Sequence, residues 1–318
     1  MFPPLNPGDA MIDQNVLTAK PVPKGFWLNS VDSLVLFYQI AISAVVATGD
    51  LPNDVKIRFI QYHLMIFFIL AFLLWSIQSL NHPLVRFVRA FYPLAVMLFF
   101  YREIGYLVHQ YFDWTLDEEL LSVDDELGRV GRRVWNFQQF YPPVRLLNEF
   151  FSVGYSFYYV LLPLSALVIY FKAPFSKFRA FMFSLSFTYY FCYLLFIFLP
   201  ADSPRFYVPG LRETLKGYWV SDWLQTALKN NAFRGGSFPS SHIAASIICI
   251  MAYPYLGRWK NPVIFLTLAL FAGTIYGRYH YFADVVAGTL VGACIYFCGP
   301  WLEKKWPLVW GVEETNHE

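Results

Sequence analysis

Charge is what this sequence has least of. Only 14% of its 318 residues are Asp, Glu, Lys or Arg, where a soluble domain of this length carries about a quarter. Hydrophobic residues make up 57% and aromatics 20%, a balance that excludes an ordinary water-soluble domain. Basic residues barely exceed acidic ones, for a net charge of +2. No basic run interleaved with aromatics lies outside the apolar blocks, which excludes a nucleic-acid partner. Cysteine is scarce as well: Cys192, Cys249, Cys294 and Cys298 all fall inside apolar blocks, where they read as small buried hydrophobes and not as a disulfide framework. The N-terminal stretch ahead of the first apolar block is polar and punctuated by prolines. It lacks the basic region and short apolar core of a cleaved signal peptide, so the first apolar block is expected to serve as its own insertion signal.

What the chain does have is apolar blocks of membrane-spanning length, since a span needs roughly 20 mostly apolar residues. Eight are expected, near 31–49, 62–80, 90–111, 149–171, 179–200, 241–257, 262–279 and 282–301. The fold class is therefore all-α: a polytopic transmembrane helix bundle of about eight spans. Arg102 and Glu103 sit inside the third and are read as internal packing, because charges in a span pair or face the bundle interior. Alternate loops are basic, with Arg86 and Arg89, then Lys172, Lys177 and Arg179, then Arg258 and Lys260, then Lys304 and Lys305. Positive residues stay on the cytoplasmic side, so both termini and these loops are expected there. The opposite face receives the loops near 50–61, 112–148, 201–240 and 278–283. One of them holds an acidic stretch, Asp117, Glu118, Glu119, Asp124, Asp125 and Glu126, expected to form an amphipathic surface helix. The organisation read from these features is a polar segment over 1–30, an N-terminal transmembrane addition with the acidic loop over 31–148, a transmembrane core over 149–302 and a polar tail over 303–318.

Three segments on that second face carry polar residues that a membrane helix end does not need. They are Leu199-Pro-Ala-Asp-Ser-Pro-Arg205, Gly235-Gly-Ser-Phe-Pro-Ser-Ser-His242 and Arg278-Tyr-His-Tyr-Phe-Ala-Asp284. The middle one sets two glycines and two serines just before an apolar helix. Gly236 lets backbone approach a ligand, and Ser240 and Ser241 open a helix whose first turn offers unpaired N–H groups at its positive end, an anion site. His242 falls in that turn, where it can give a proton to a leaving oxygen. His280 and Asp284 are four apart and share one helix face. A carboxylate on one ring nitrogen fixes the tautomer and raises the nucleophilicity of the other. Arg205 and Arg278 offer planar, permanently charged forks for phosphate oxygens. A zinc site built from the two histidines and the acid is disfavoured by those neighbouring arginines. Ser240 and Ser241 also read as plain N-caps, Arg205 as a snorkelling interfacial arginine, and His63, His82, His109 and His317 as packing or interfacial hydrogen bonding.

Taken together, the three segments resemble the phosphate signature of the type-2 phosphatidic acid phosphatase superfamily over about residues 149–301. Pro239-Ser240-Ser241-His242 is similar to the family's Pro-Ser-Gly-His, with serine for glycine, and His280 and Asp284 match its His-x-x-x-Asp. The resemblance implies a helical core with His280 as nucleophile, Asp284 as its orienter, His242 as general acid and Arg205 as a phosphate ligand. Two positions depart from the pattern: Phe198 stands where the family has a lysine, and Thr274 where it has an arginine, whose contact Arg278 is expected to take over. The Phe-Pro-Ser-x-His and Arg-Tyr-His-Tyr-x-x-Asp forms look more like inositol phosphorylceramide synthases and related phosphotransferases than like simple phosphatidate phosphatases. The expected function is a metal-independent, cofactor-free lipid phosphatase working through a phosphohistidine on the extracytoplasmic face, its partners a membrane lipid phosphate or phosphodiester and the bilayer. The alternatives are phospho-head-group transfer and a non-catalytic lipid-binding or transport protein; the latter would need the arginines but not the His280–Asp284 pair.

Overall fold

The computed structural model describes residues 28–80, 82–140, 145–211 and 215–306; the expected polar N-terminal segment and the tail with His317 lie almost wholly outside them. Three long antiparallel helices come first, α1 (Ser30–Thr48), α2 (Asn53–Leu80) and α3 (Pro83–Leu107). Asn29 starts α1 by accepting the Val31 and Asp32 amides at 2.9 and 3.0 Å, while the Asp32 carboxylate accepts the Asn29 amide at 3.1 Å, a reciprocal cap. Pro83 opens α3, where its missing N–H costs nothing. Two short helices follow, α4 (Asp117–Glu126) and α5 (Val130–Phe140), then α6 (Arg145–Ser156), α7 (Tyr158–Lys172) and α8 (Phe175–Phe198). The four-residue α9 (Pro204–Tyr207), then α10 (Trp219–Asn231), α11 (Ser241–Ile248), α12 (Lys260–Tyr276) and α13 (Phe282–Lys305) complete the α-helices of the described residues. Among the described residues there is no strand; a single isolated parallel bridge pairs Ala201 with Gly236.

The all-α membrane architecture matches expectation, but the number of full-length spans does not. Among the described residues, six helical stretches are long and apolar enough to cross a membrane, within Ser30–Thr48, Asn53–Ser76, Pro83–Leu107, Arg145–Lys172, Phe175–Phe198 and Phe282–Lys305. The expected span at 241–257 is a shorter apolar helix, Ser241–Tyr255, whose second half from Cys249 winds as 3₁₀ around Pro254. That tighter winding rises about 2 Å per residue and recovers part of the missing length. The span at 262–279 is α12, only 17 residues long.

α8 is the axis of the bundle, 72% of its most apolar window being buried, and it packs against α1, α3, α7, α11 and α13. Two close helix pairs frame the site. α11 lies against α13 because Gly288 and Gly292 present no side chain: a Cβ at Gly288 would come within 2.4 Å of the Ser240 carbonyl. α6 lies equally close to α12, where a Cβ at Gly273 would meet the Phe151 carbonyl at 2.8 Å. The outer surface is apolar, with Phe68 65%, Leu98 68% and Phe297 79% exposed. A continuous surface of that kind needs a lipid solvent, and the chain is an integral membrane protein. Cys192 and Cys249 are buried as expected, but Cys294 is exposed on this outer surface and Cys298 half-exposed; a lipid-facing position is as apolar as a core one.

Where α13 ends, charges close on one another. Glu303 accepts from Ser30 Oγ and Arg179 Nε, both at 2.6 Å, and Asp32 takes Arg89 at 2.5 Å and the Tyr92 hydroxyl at 3.0 Å. The candidate catalytic residues gather at the other end of α13, about 30 Å away by helical rise.

Candidate active site

The three polar segments of the sequence meet at the N-terminus of α13, stitched together through their backbones. The Ala201 amide donates to the Gly235 carbonyl at 3.2 Å and the Ser237 amide to the Ala201 carbonyl at 2.9 Å; the Arg205 amide reaches the Arg278 carbonyl at 3.1 Å, and the Ser240 amide the Asp284 carbonyl at 3.2 Å. First segment is thus joined to second and third, and second to third. The turn carrying His280 is itself folded back, its Tyr279 and His280 amides both donating to the Thr274 carbonyl, at 3.0 and 3.2 Å.

On this frame His280 and Asp284 form the pair their spacing predicts, Nδ1 to Oδ2 at 3.2 Å. The same carboxylate oxygen accepts the Ser237 hydroxyl at 2.5 Å and the Tyr281 amide at 3.0 Å. Because ionised carboxylate only accepts, the His280 proton sits on Nδ1 and leaves Nε2 unprotonated. That nitrogen points at His242 Nδ1, 3.4 Å away. His280 is 3% exposed, and burial pushes its imidazole down to about 4, since the charged form loses its hydration. The ring is neutral, hence nucleophilic, through the neutral pH range.

The remaining expected residues fall into place unequally. Ser240 is buried and caps α11, its Oγ accepting the Ile243 amide at 3.4 Å. Ser241 is the first, buried residue of that helix. Gly236 forms the bridge to Ala201, and a Cβ there would strike the Phe233 ring at 2.6 Å. Arg205, on α9, is half-buried with its guanidinium 4.9 Å above the Phe206 ring and 5.8 Å from the Tyr279 ring. Arg278 is buried at a φ of 64°; its Nε donates to Gln138 at 2.9 Å and its Nη1 to the Leu211 carbonyl at 3.1 Å. It braces the loop between α12 and α13 against α5, where Arg205 is left to face the rings beside His280.

The acidic stretch is not the plain surface helix expected. Asp117 and Asp124, on α4, are both fully buried. Asp117 accepts the Asp202 and Ser203 amides at 2.8 and 3.1 Å and the Tyr281 hydroxyl at 2.7 Å, so it ties the first segment to the residue after His280. Asp124 accepts the Phe282 and Ala283 amides at 2.9 and 2.6 Å, capping α13 from another helix just where Asp284 sits. Desolvation raises the Asp124 pKa while those two amides oppose the rise. Of the other described histidines, His82 caps α3 and His63 is buried against Glu103 at 3.0 Å, whereas His109 borders the first two polar segments, 3.6 Å from Asp202 and close to Gly235. Glu103 thus packs internally as expected, whereas Arg102 faces outward.

Residues 118–298 match the profile of the PAP2 superfamily, a stretch that takes in α4 along with all three polar segments. A PA-phosphatase related-family protein of Dictyostelium discoideum is 33% identical over 107 residues, 31% of this chain but only 19% of that relative. No solved structure matches. With its helical bundle, its three joined segments and more than half its length matched, the chain belongs to the PAP2 superfamily.

Proposed function

We propose that the protein is an integral membrane lipid phosphatase that cleaves an amphiphilic phosphate ester through a phosphohistidine on His280. The observation that carries this reading is the pair of facing imidazoles: the unprotonated Nε2 of His280, whose Nδ1 is held by Asp284, lies 3.4 Å from His242 Nδ1. In the proposed cycle, Arg205, the Ser241 hydroxyl and the amides around Gly236 and the first turn of α11 receive the phosphate, with Arg278 adding positive charge behind the loop. His280 Nε2 attacks phosphorus while His242 protonates the leaving oxygen; water then attacks the phosphohistidine with His242 as base. Positive charge fixed before the reaction is what stabilises a phosphoryl-transfer transition state.

The basic loops around Arg89, Arg179 and Lys304 support cytoplasmic termini, with the site on the extracytoplasmic face. A lipid there keeps its tails in the bilayer and offers its head group to the bundle end. A second reading, head-group transfer to an acceptor hydroxyl, is favoured by the Phe238-Pro-Ser-Ser-His242 and Arg278-Tyr-His-Tyr281 forms and by the burial of His280, which limits the access of water.

The test is a product assay on the purified protein and its His280→Ala variant, with lipid phosphates and phosphoinositol lipids, with and without an acceptor alcohol. Free phosphate released by the parent and lost in the variant is the expected result. An acceptor-linked product lost in the variant would replace hydrolysis by transfer, and turnover of soluble esters with every lipid ignored would overturn the lipid assignment.

A further inference from the structure

The mechanism above uses one face of His242 and leaves its other nitrogen unexplained. His242 Nε2 lies 3.0 Å from the hydroxyl of Tyr155, a residue outside all three polar segments. Tyr155 is 3% exposed and lies in the last turn of α6, one residue before its end at Ser156. Its position is fixed from two sides. α6 is seated on α12, where a Cβ on Gly273 would come within 3.4 Å of the Tyr155 amide, and the Tyr155 ring packs on Tyr279, with centroids 4.5 Å apart. Tyr279 is in turn held by Gln225, whose Nε2 donates to its hydroxyl at 3.0 Å.

We infer that Tyr155 is the positioning residue of the general acid: its hydroxyl holds His242 Nε2 so that Nδ1 is always the nitrogen presented to the leaving group. This rests on the phosphohistidine reading and deepens it. A neutral imidazole in water prefers its proton on Nε2, which would turn a lone pair towards His280, lone pair against lone pair. The Tyr155 hydroxyl, which both donates and accepts, meets Nε2 in either protonation state, and while it donates to Nε2 the proton of the neutral ring sits on Nδ1. In the resting protein Tyr155 donates to His242 Nε2, and His242 Nδ1–H donates to His280 Nε2.

Protons and bonds balance through the cycle. A phosphate monoester monoanion brings the proton that makes His242 cationic, with Nε2–H now donated to the Tyr155 oxygen. As the His280 Nε2–phosphorus bond forms, the bond from phosphorus to the leaving oxygen breaks and that oxygen takes the Nδ1 proton. His242 is left neutral, its remaining proton still on Nε2 and still held by Tyr155. Water then forms its bond to phosphorus, the nitrogen–phosphorus bond breaks and Nδ1 takes a proton from the water; the departing phosphate carries one proton away as its monoanion and returns His242 to the neutral state.

The experiment compares Tyr155→Phe with the parent on two phosphomonoesters in mixed micelles: an alkyl phosphate, whose alkoxide must be protonated to leave, and 4-nitrophenyl phosphate, whose phenolate leaves unaided. kcat/KM is the readout, because it covers only the steps up to departure of the alcohol. General-acid contributions run to about 10²-fold or more, so the variant is expected to lose at least about tenfold on the alkyl ester and under about threefold on the nitrophenyl ester. The ratio within one preparation is independent of how much protein folds. An equal loss on both esters would make Tyr155 merely structural, and no loss on either would remove it from the mechanism; each overturns the inference. His280→Ala, run alongside, is expected to be inactive on both. Were it to keep the parent's rate, the phosphohistidine reading itself would fall.

Discussion

Among the described residues there are two buried histidine–carboxylate pairs of nearly equal length, and they differ in what meets the far side of the ring. His63 Nε2 lies 3.0 Å from Glu103 between α2 and α3, and His280 Nδ1 lies 3.2 Å from Asp284 at the head of α13. The difference is on the other side of each ring. His63 Nδ1 is taken by the Ser43 hydroxyl at 2.7 Å, and its backbone carbonyl by the Gln39 amide, so the pair is closed within the helices that made it. His280 Nε2 instead faces His242, in the opening turn of α11, with the Arg205 guanidinium 5.8 Å from the ring of the neighbouring Tyr279. A closed pair satisfies a buried polar group and holds helices together; an open one keeps a lone pair for a substrate.

The sharpest way to break this comparison is to truncate each carboxylate. Asp284→Ala removes the group that fixes the His280 tautomer, and a loss of about 10⁴-fold in kcat is expected, as for other orienting carboxylates. Glu103→Ala is expected to leave kcat within about threefold and to lower the unfolding midpoint in detergent, because one partner of a buried pair is left alone, at about 3–5 kcal/mol. A matching collapse of activity in Glu103→Ala would erase the distinction.

A smaller effect tests how far the open site depends on its surroundings. Asp124→Ala takes away the acceptor of two amides at the start of α13 without touching His280, and should reduce kcat by about 10- to 100-fold, the range seen when outer-shell partners are removed. Asp124→Asn, which keeps one acceptor oxygen, should recover part of that loss. An unchanged kcat in Asp124→Ala would make α4 a bystander.

Those carboxylates also mark what the sequence could not disclose. His280, Asp284, His242 and Ser240 were legible because their spacing is local: four residues on one helix turn, or a helix start preceded by glycines and serines. Asp117 and Asp124 act on Tyr281 and Phe282, 164 and 158 residues further on, and nothing within an acidic, amphipathic stretch announces partners at that distance. Ser237 stood in plain view inside its motif, yet its bond to Asp284 needed the fold to bring the second and third segments together. Tyr155 sat in an apolar block among many tyrosines and carried no signal at all. At the level of the fold, hydropathy located the long apolar helices but not α5 or α10, which lie in the expected loops, and it counted α12 and the 3₁₀-wound Ser241–Tyr255 as full spans, because composition does not report winding or length.

The mildest of the predicted effects is in pH. The His280 pKa lies near 4 in the folded protein, below the 6.5 of an unfolded chain. Between those values the unfolded state binds the extra proton, so stability falls as pH drops from about 6.5 towards 4 and is flat above. The acid limb of kcat/KM, which reports the free enzyme, is expected near the lower value. A limb at the ordinary histidine position in the parent would mean that His280 is solvated and that its burial has no chemical consequence.

The most direct test of the central claim is to capture the covalent state. The parent, Asp284→Ala, His280→Ala and His63→Ala proteins would be quenched in base during turnover of a phosphate-labelled lipid ester, and the label located by peptide mapping. The account predicts an acid-labile, base-stable phosphoramidate on His280 in the parent and in His63→Ala, greatly reduced in Asp284→Ala and absent in His280→Ala. Label retained in His280→Ala, or carried on any other residue of the parent, would contradict it.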